Sequence, residues 1–171
     1  MSKGKVVQKL GDDISTDIIY PGRFMATVLP TETPQYAFAD NAVFNQALNA
    51  KQVPAGSFIV AGDNFGCGSS REQAASCIKG YGLTVVARNF ARIFLQNSIN
   101  VGLQMVICPG IEAEEGHELE IRDGKVWNLT TGESFAIEPL PQARQAIIDA
   151  GGLIPYTRRL LLERAGQVKT I

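Results

Sequence analysis

Cysteine, histidine and an excess of either charge are all scarce in this sequence. Its 171 residues include three cysteines, Cys67, Cys77 and Cys108, and one histidine, His117. Thiols that are few, odd in number and widely spaced exclude a disulfide-stapled scaffold. With no Cys-x-x-Cys and no second histidine, the usual metal-ligand spacings are missing, so no metal site is expected on this chain. Sixteen Lys and Arg against seventeen Asp and Glu leave a net charge of −1. Nothing in that balance draws the chain to a phosphate backbone, and nucleic acid is not an expected partner. Apolar runs such as 83–87 stop far short of the roughly 20 residues that span a bilayer, so no membrane partner is expected either. The early lysines of MSKGKVVQKL lead into no apolar stretch, which argues against a secretory signal and for a cytoplasmic protein. The sequon Asn128-Leu129-Thr130 is then a chance match.

What is present fits one compact domain over residues 1–171, with 45% hydrophobic and 19% charged residues. Lys5–Leu10 forms a strand, broken by Gly11-Asp12-Asp13, and Asp17–Tyr20 is a short apolar run stopped by Pro21-Gly22. Residues 30–56 carry Pro30, Pro34 and Pro54 and two short helix-like pieces, Tyr36–Phe38 and Val43–Leu48; the pattern predicts an excursion over the surface. A regular alternation follows. Strands over Ser57–Ala61, Leu83–Ala87 and Leu103–Cys108 enclose helices over Arg71–Gly80 and Phe90–Asn97, a parallel βαβαβ unit. After Pro109, the runs Glu118–Ile121, Lys125–Leu129 and Ser134–Ile137 are joined by Asp123-Gly124 and Thr131-Gly132, turn residues that imply added antiparallel hairpins. Helices over Pro141–Ala150 and Tyr156–Arg164 close the chain. The tail beyond Tyr156 carries Arg158, Arg159, Arg164 and Lys169 around three leucines, a pattern that suits a solvated terminal helix or a subunit contact.

The stretch Gly62–Gln73, GDNFGCGSSREQ, follows a buried strand and opens a helix, where α/β sheets hold ligands. Gly66 and Gly68 permit positive φ. Ser70-Arg71-Glu72-Gln73 fits a capping box with Ser70 as N-cap. Free N–H groups and the helix dipole would then face Ser69, Ser70 and an anionic guest, with Arg71 adding a fork suited to a carboxylate. An ordinary capped helix is one alternative. A phosphate or nucleotide loop is another, although the Gly-Lys-Ser/Thr ending and Gly-x-Gly-x-x-Gly are missing. A serine hydrolase needs a base, and His117 lies in a polar, solvated-looking stretch. Asp12, Asp13 and Asp17 crowd a six-residue loop. Asn89 sits where it could cap the second helix, with Phe90, Ile93 and Phe94 as its buried face and Asn97 and Asn100 bracing nearby loops.

DDISTDIIYPGRF, NFGCGSSREQA and ARNFARIFLQNSINVGL, in that order, resemble the small subunits of 3-isopropylmalate dehydratases, the swivelling domain of the aconitase superfamily made as a separate chain. The resemblance is strongest over residues 11–27 and 58–109. It implies a three-layer β/β/α fold and a hydro-lyase active only with a large subunit. That partner would hold a four-iron, four-sulfur cluster on its own cysteines, leaving Cys67, Cys77 and Cys108 as packing residues. The substrate would be a small dicarboxylic hydroxy acid, 2-isopropylmalate, converted to 3-isopropylmalate in leucine biosynthesis. Ser69 matches the family's catalytic base, Ser70 and Arg71 match positions that bind a substrate carboxylate or the developing charge, and the three aspartates match a loop near the site, expected to hold structure.

The residues after the family's Pro-Gly touch the group that differs between substrates. Here they are Arg23, Phe24, Met25, Ala26 and Thr27. Relatives that take a third carboxylate, the homoaconitase type, resemble Tyr-Leu-Arg-Thr at Phe24–Thr27, so Ala26 stands in place of an arginine. An unpaired carboxylate in an apolar pocket is costly. A branched alkyl group is therefore favoured, with dimethylmalate, citraconate or methylmalate, and homoaconitate as alternatives. Arg23 could supply a cation from another angle. A non-catalytic phosphate- or nucleotide-binding module is the alternative from another class.

Overall fold

The computed structural model describes residues 2–168. Four strands run parallel: β1 (Ser2–Lys9), β2 (Phe58–Ala61), β3 (Thr84–Ala87) and β4 (Met105–Ile107). Three more, β5 (Glu118–Arg122), β6 (Lys125–Asn128) and β7 (Ser134–Ala136), are antiparallel, and the order is β4-β3-β2-β1-β5-β6-β7. Among the described residues the α-helices are α1 (Thr16–Ile19), α2 (Ala42–Asn49), α3 (Glu72–Gly80), α4 (Arg92–Val101), α5 (Gln142–Asp149) and α6 (Leu153–Val168).

Every residue of β2 and β3 is buried, as parallel strands covered on both faces require. The period of two divides each strand between two cores. Ile59, Ala61, Val85 and Ala87 pack with Ala74, Ile78 and Phe94 of α3 and α4. Phe58, Val60 and Val86 pack instead with Leu119 and Val126 of the antiparallel strands and with Ile111 and Ala113 before them. The layers are therefore β/β/α, as the resemblance implied. Glu138 N–H donates to Ile107 O at 2.8 Å, an isolated bridge that ties the chain after β7 to the end of edge strand β4.

Three expectations change. Residues 16–19 form a helical turn, because Ser15 Oγ caps it by accepting from Ile18 N–H. Residues 30–56 are not a surface excursion: Ala37, Phe38, Phe44 and Leu48 are buried in the helix-side core, and Thr33 is buried with its hydroxyl 3.1 Å from that of Ser76. Pro34 lies in the first turn of a 3-10 helix, Thr33–Tyr36, where its missing N–H costs nothing, and Asn41 caps α2. The last helix begins earlier than Tyr156, at Leu153, and packs against α4 and α5, with Leu161 and Leu162 exposed beyond; Lys169 lies outside the described residues. Among the described residues no helix is long and apolar enough to cross a membrane. The sequon asparagine, Asn128, is buried and accepts N–H bonds from Thr130 and Thr131 in a turn.

Candidate active site

Parallel pairing does not stop where the strands end. Leu10 N–H donates to Val60 O and Asp13 N–H to Asp63 O, both at 2.8 Å. Ser15 bridges Cys67, and Phe65 bridges Phe90, so the loops after β1, β2 and β3 form three stitched ribbons. Side chains lock the stitching. Asp12 Oδ1 accepts from Asp63 N–H at 2.8 Å, Asp13 Oδ1 from Asn64 Nδ2 at 2.7 Å, and Asn89 Oδ1 from Asn64 N–H at 2.7 Å. Gly66, at φ +82°, lies against Phe94; an added Cβ would come within 2.1 Å of the ring. Only glycine fits both the conformation and the space. The carboxyl ends of parallel strands are where such folds place their chemistry.

This frame presents Ser69 and Ser70 to solvent. Ser69 Oγ is 3.3 Å from Thr16 Oγ1, and Ser69 O accepts from Arg71 N–H at 2.9 Å and from Thr16 Oγ1 at 3.2 Å. Asn97 Nδ2 donates to Ser70 O at 3.4 Å. Arg71 is mostly buried, its side chain 13% exposed. Its Nη1 donates to Asp17 Oδ1 and, at 3.2 Å, to Tyr20 O. The hydrogen bond from Arg71 holds the Asp17 carboxyl below its ordinary range, outweighing the opposite push of partial desolvation, and Gly22 N–H adds a second bond at 3.2 Å. Gln73 Nε2 reaches Met25 O at 3.5 Å and ties α3 to the next loop.

That loop begins with a 3-10 turn, Gly22–Phe24. Phe24 stacks on Tyr36 with centroids 4.2 Å apart, and Tyr20 Oη lies 3.1 Å from Phe24 O and 3.3 Å from Thr27 O. Arg23 forks onto Asp40 and lies over the Phe24 ring, 4.6 Å from its centroid. The pairing raises the Arg23 pKa and lowers that of Asp40. Met25 and Ala26 are exposed, as are Val28 and Leu29 just beyond Thr27, so this short segment is an exposed apolar lip.

The family model described as the aconitase C-terminal domain matches residues 14–108, more than half of the chain. The chain belongs to that family. The 3-isopropylmalate dehydratase small subunit of Methanosarcina acetivorans is 42% identical over 91% of this chain and 96% of its own. The isopropylmalate/citramalate isomerase small subunit of Methanocaldococcus jannaschii is 43% identical over 94% of this chain and 96% of its own. The 2,3-dimethylmalate dehydratase small subunit of Eubacterium barkeri is 42% identical over 91% and 95%. The crystal structure of 3-isopropylmalate dehydratase (leuD) from Methanocaldococcus jannaschii superposes with a TM-score of 0.87 at 37% identity, covering 96% of this chain and 98% of that one.

Within this aconitase-family domain several local expectations fail. Ser70 is not an N-cap. The chain stays extended through Arg71 (φ −77°, ψ 109°), and α3 starts at Glu72 with no side-chain cap. Gln73 turns to Met25 instead of reaching back. Asn89 caps nothing either; it is spent on Asn64 and Asp63, and α4 starts at Arg92 behind an uncapped Ala91. Asn97 does brace a loop, whereas Asn100 Oδ1 accepts from Gln96 on its own helix. His117 is half-buried rather than solvated, its Nδ1 accepting from Glu114 N–H and lying 3.0 Å from Asn128 Nδ2.

Cys77 is buried in the helix-side core and Cys108 in the other. Desolvation raises both thiol pKa values, that of Cys108 to about 11. Cys67 is partly exposed, with Sγ 3.3 Å from Asp13 O. Among the described residues no group of three or more His, Cys, Asp or Glu is placed to hold a metal ion. One participant escaped sequence reasoning altogether. Thr16 sits in the aspartate-rich motif like any small polar residue, and only the fold carries its hydroxyl to Ser69.

Proposed function

We propose that this chain is the small subunit of a heteromeric hydro-lyase that interconverts 2-isopropylmalate and 3-isopropylmalate, by loss and re-addition of water, in leucine biosynthesis. The reading rests above all on one juxtaposition. An exposed serine, Ser69, stands two residues before a mostly buried arginine, Arg71, in a chain matched over nearly its full length by subunits that bear that name. The four-iron, four-sulfur cluster of such an enzyme belongs to a large partner chain, and this chain supplies the proton transfer and part of the carboxylate grip.

In this reading ionised Ser69 Oγ is the base. It takes the proton from the C–H beside a substrate carboxylate, the C–H electron pair becomes the π bond of the alkene, and hydroxide leaves the neighbouring carbon toward the partner chain, whose cluster would supply the Lewis acid that accepts it. Rehydration with the opposite regiochemistry completes the isomerisation. Ser70 and Arg71 bind a substrate carboxylate, and Asp17 and Tyr20 O aim the Arg71 fork from behind. Phe24, Met25, Ala26 and Thr27 face the substituent, with Met25 and Ala26 supplying apolar contact. Arg23 already spends its fork on Asp40, which weakens any reading with a third carboxylate.

A second reading is supported by the relatives named for isopropylmalate/citramalate and for 2,3-dimethylmalate, whose identities of 43% and 42% fall within the 40–45% of relatives named for isopropylmalate alone. Both readings share the catalytic residues and differ only at the apolar lip. The test is co-expression with a large subunit and assay on 2-isopropylmalate, 2,3-dimethylmalate, citramalate and homoaconitate. The highest kcat/KM is expected for 2-isopropylmalate. No turnover of any of the four, together with saturable nucleotide binding by calorimetry, would overturn the proposal in favour of a binding module.

A further inference from the structure

Thr16 is buried, with 1% of its surface exposed, yet its hydroxyl points at an exposed residue. Its backbone N–H is already committed to Cys67 O at 2.8 Å, so both ends of Thr16 hold the segment 67–69. The hydroxyl has one proton and two acceptors within reach, both on the same residue: Ser69 O at 3.2 Å and Ser69 Oγ at 3.3 Å. Ser69 O has a second donor, Arg71 N–H at 2.9 Å, so it stays satisfied whichever acceptor Thr16 chooses.

We infer that Thr16 is a positioning residue for Ser69, a rotary hydroxyl whose donor turns from Ser69 O to Ser69 Oγ when Ser69 is ionised. The inference rests on the reading of Ser69 as the base. While Ser69 is neutral, its own O–H donates to Thr16 Oγ1 and Thr16 donates to the carbonyl. Once Ser69 Oγ is an alkoxide it needs a donor, and a hydrogen bond to an ionised oxygen is roughly twice as strong as a neutral one. Rotation about one C–O bond supplies it. No heavy atom moves, no buried carbonyl is left bare, and Thr16 keeps its proton throughout. Preorganised donors of this kind favour the charged state without reorganisation at the moment of reaction.

The experiment uses the assembled two-chain enzyme and three variants. Thr16→Val keeps the shape and removes the donor; kcat is expected to fall about 100-fold, the loss typical of one donor removed from a developing oxyanion. KM should stay within about threefold, and the limb of the pH profile that reports Ser69 ionisation should move to higher pH, a change that looser packing alone would not give. Thr16→Ser restores the hydroxyl and should restore both kcat and the profile. Should valine disturb so buried a position, seen as lost assembly with the large subunit, Thr16→Ala removes the same donor without the added bulk. Ser69→Ala separates the two ideas. If it is inactive while Thr16→Val and Thr16→Ala keep wild-type kcat, Thr16 has no such role and the base reading survives. If Ser69→Ala is itself near wild type, the base reading falls and this inference with it.

Discussion

Asp17 and Arg71 meet across 54 residues of chain, the carboxylate in the first turn of α1 gripping the guanidinium just before α3. The same Asp17 oxygen accepts the N–H of Gly22, at the entrance to the 22–27 turn. One carboxylate therefore fixes both the direction of the Arg71 fork and the start of the 22–27 turn, the two parts of the proposed substrate site. Asp17→Asn keeps the shape and removes the charge. In the assembled enzyme it should raise KM for isopropylmalate about tenfold or more, since a neutral amide is a poor partner for a guanidinium. The pH dependence has a definite sign. Because the Asp17 carboxyl is held below its ordinary range, the grip is fully present above that range and lost only as pH falls through the lowered value. A carbon-13 titration of the Asp17 carboxyl checks this; a midpoint at or above that of an ordinary aspartate would show that Arg71 does not hold it.

Gly66 carries both a left-handed backbone and a side chain pressed against it. Gly66→Ala should destabilise the fold by about 2–4 kcal/mol, the sum of conformational strain and overpacking on Phe94. Gly116, at φ +86° in open space, supplies the control: Gly116→Ala meets strain alone and should cost about 1 kcal/mol. Equal denaturation midpoints for the two variants would mean that the Phe94 contact has no energetic weight.

Ala26→Arg puts a cation on the exposed lip. Activity on isopropylmalate should fall about tenfold or more, because an alkyl group cannot pair with the new charge, and homoaconitate should become a measurable substrate. Unchanged kcat/KM values for both would remove residue 26 from the specificity site.

The three thiols should separate by burial. Native protein treated with a disulfide reagent near neutral pH should titrate one thiol quickly, Cys67, because the other two are buried and kept protonated. All three should react in denaturant. Rapid reaction of two or more in the native state would place Cys77 or Cys108 nearer solvent than the packing described above.

The parallel centre was legible because buried strands and amphipathic helices alternate with clean periods, and all three strands fall within a residue or two of where the apolar runs lie. The antiparallel hairpins were legible from Asp123-Gly124 and Thr131-Gly132. Capping was not. Ser70 and Asn89 have the right identities, but tertiary bonds among the three loops hold the backbone extended past both, and Asn89 is diverted to Asp63 and Asn64. The prolines of residues 30–56 suggested a surface path, whereas Phe38, Phe44 and Leu48 fill the helix-side core. Ser69, Ser70 and Arg71 stand together in sequence and so could be read as a unit. The contact of Thr16 with Ser69 spans 53 residues, and no local pattern announces it.

The ribbons that carry Asp12, Ser15 and Phe65 inherit the order of the sheet through backbone bonds. Residues 23–27 instead hang from one aromatic stack, one arginine fork and a few bonds from Tyr20 and Gln73. Mutational drift can therefore rewrite the short lip while the stitched scaffold stays intact. The relatives named for isopropylmalate, for isopropylmalate and citramalate, and for 2,3-dimethylmalate are 42%, 43% and 42% identical to this chain.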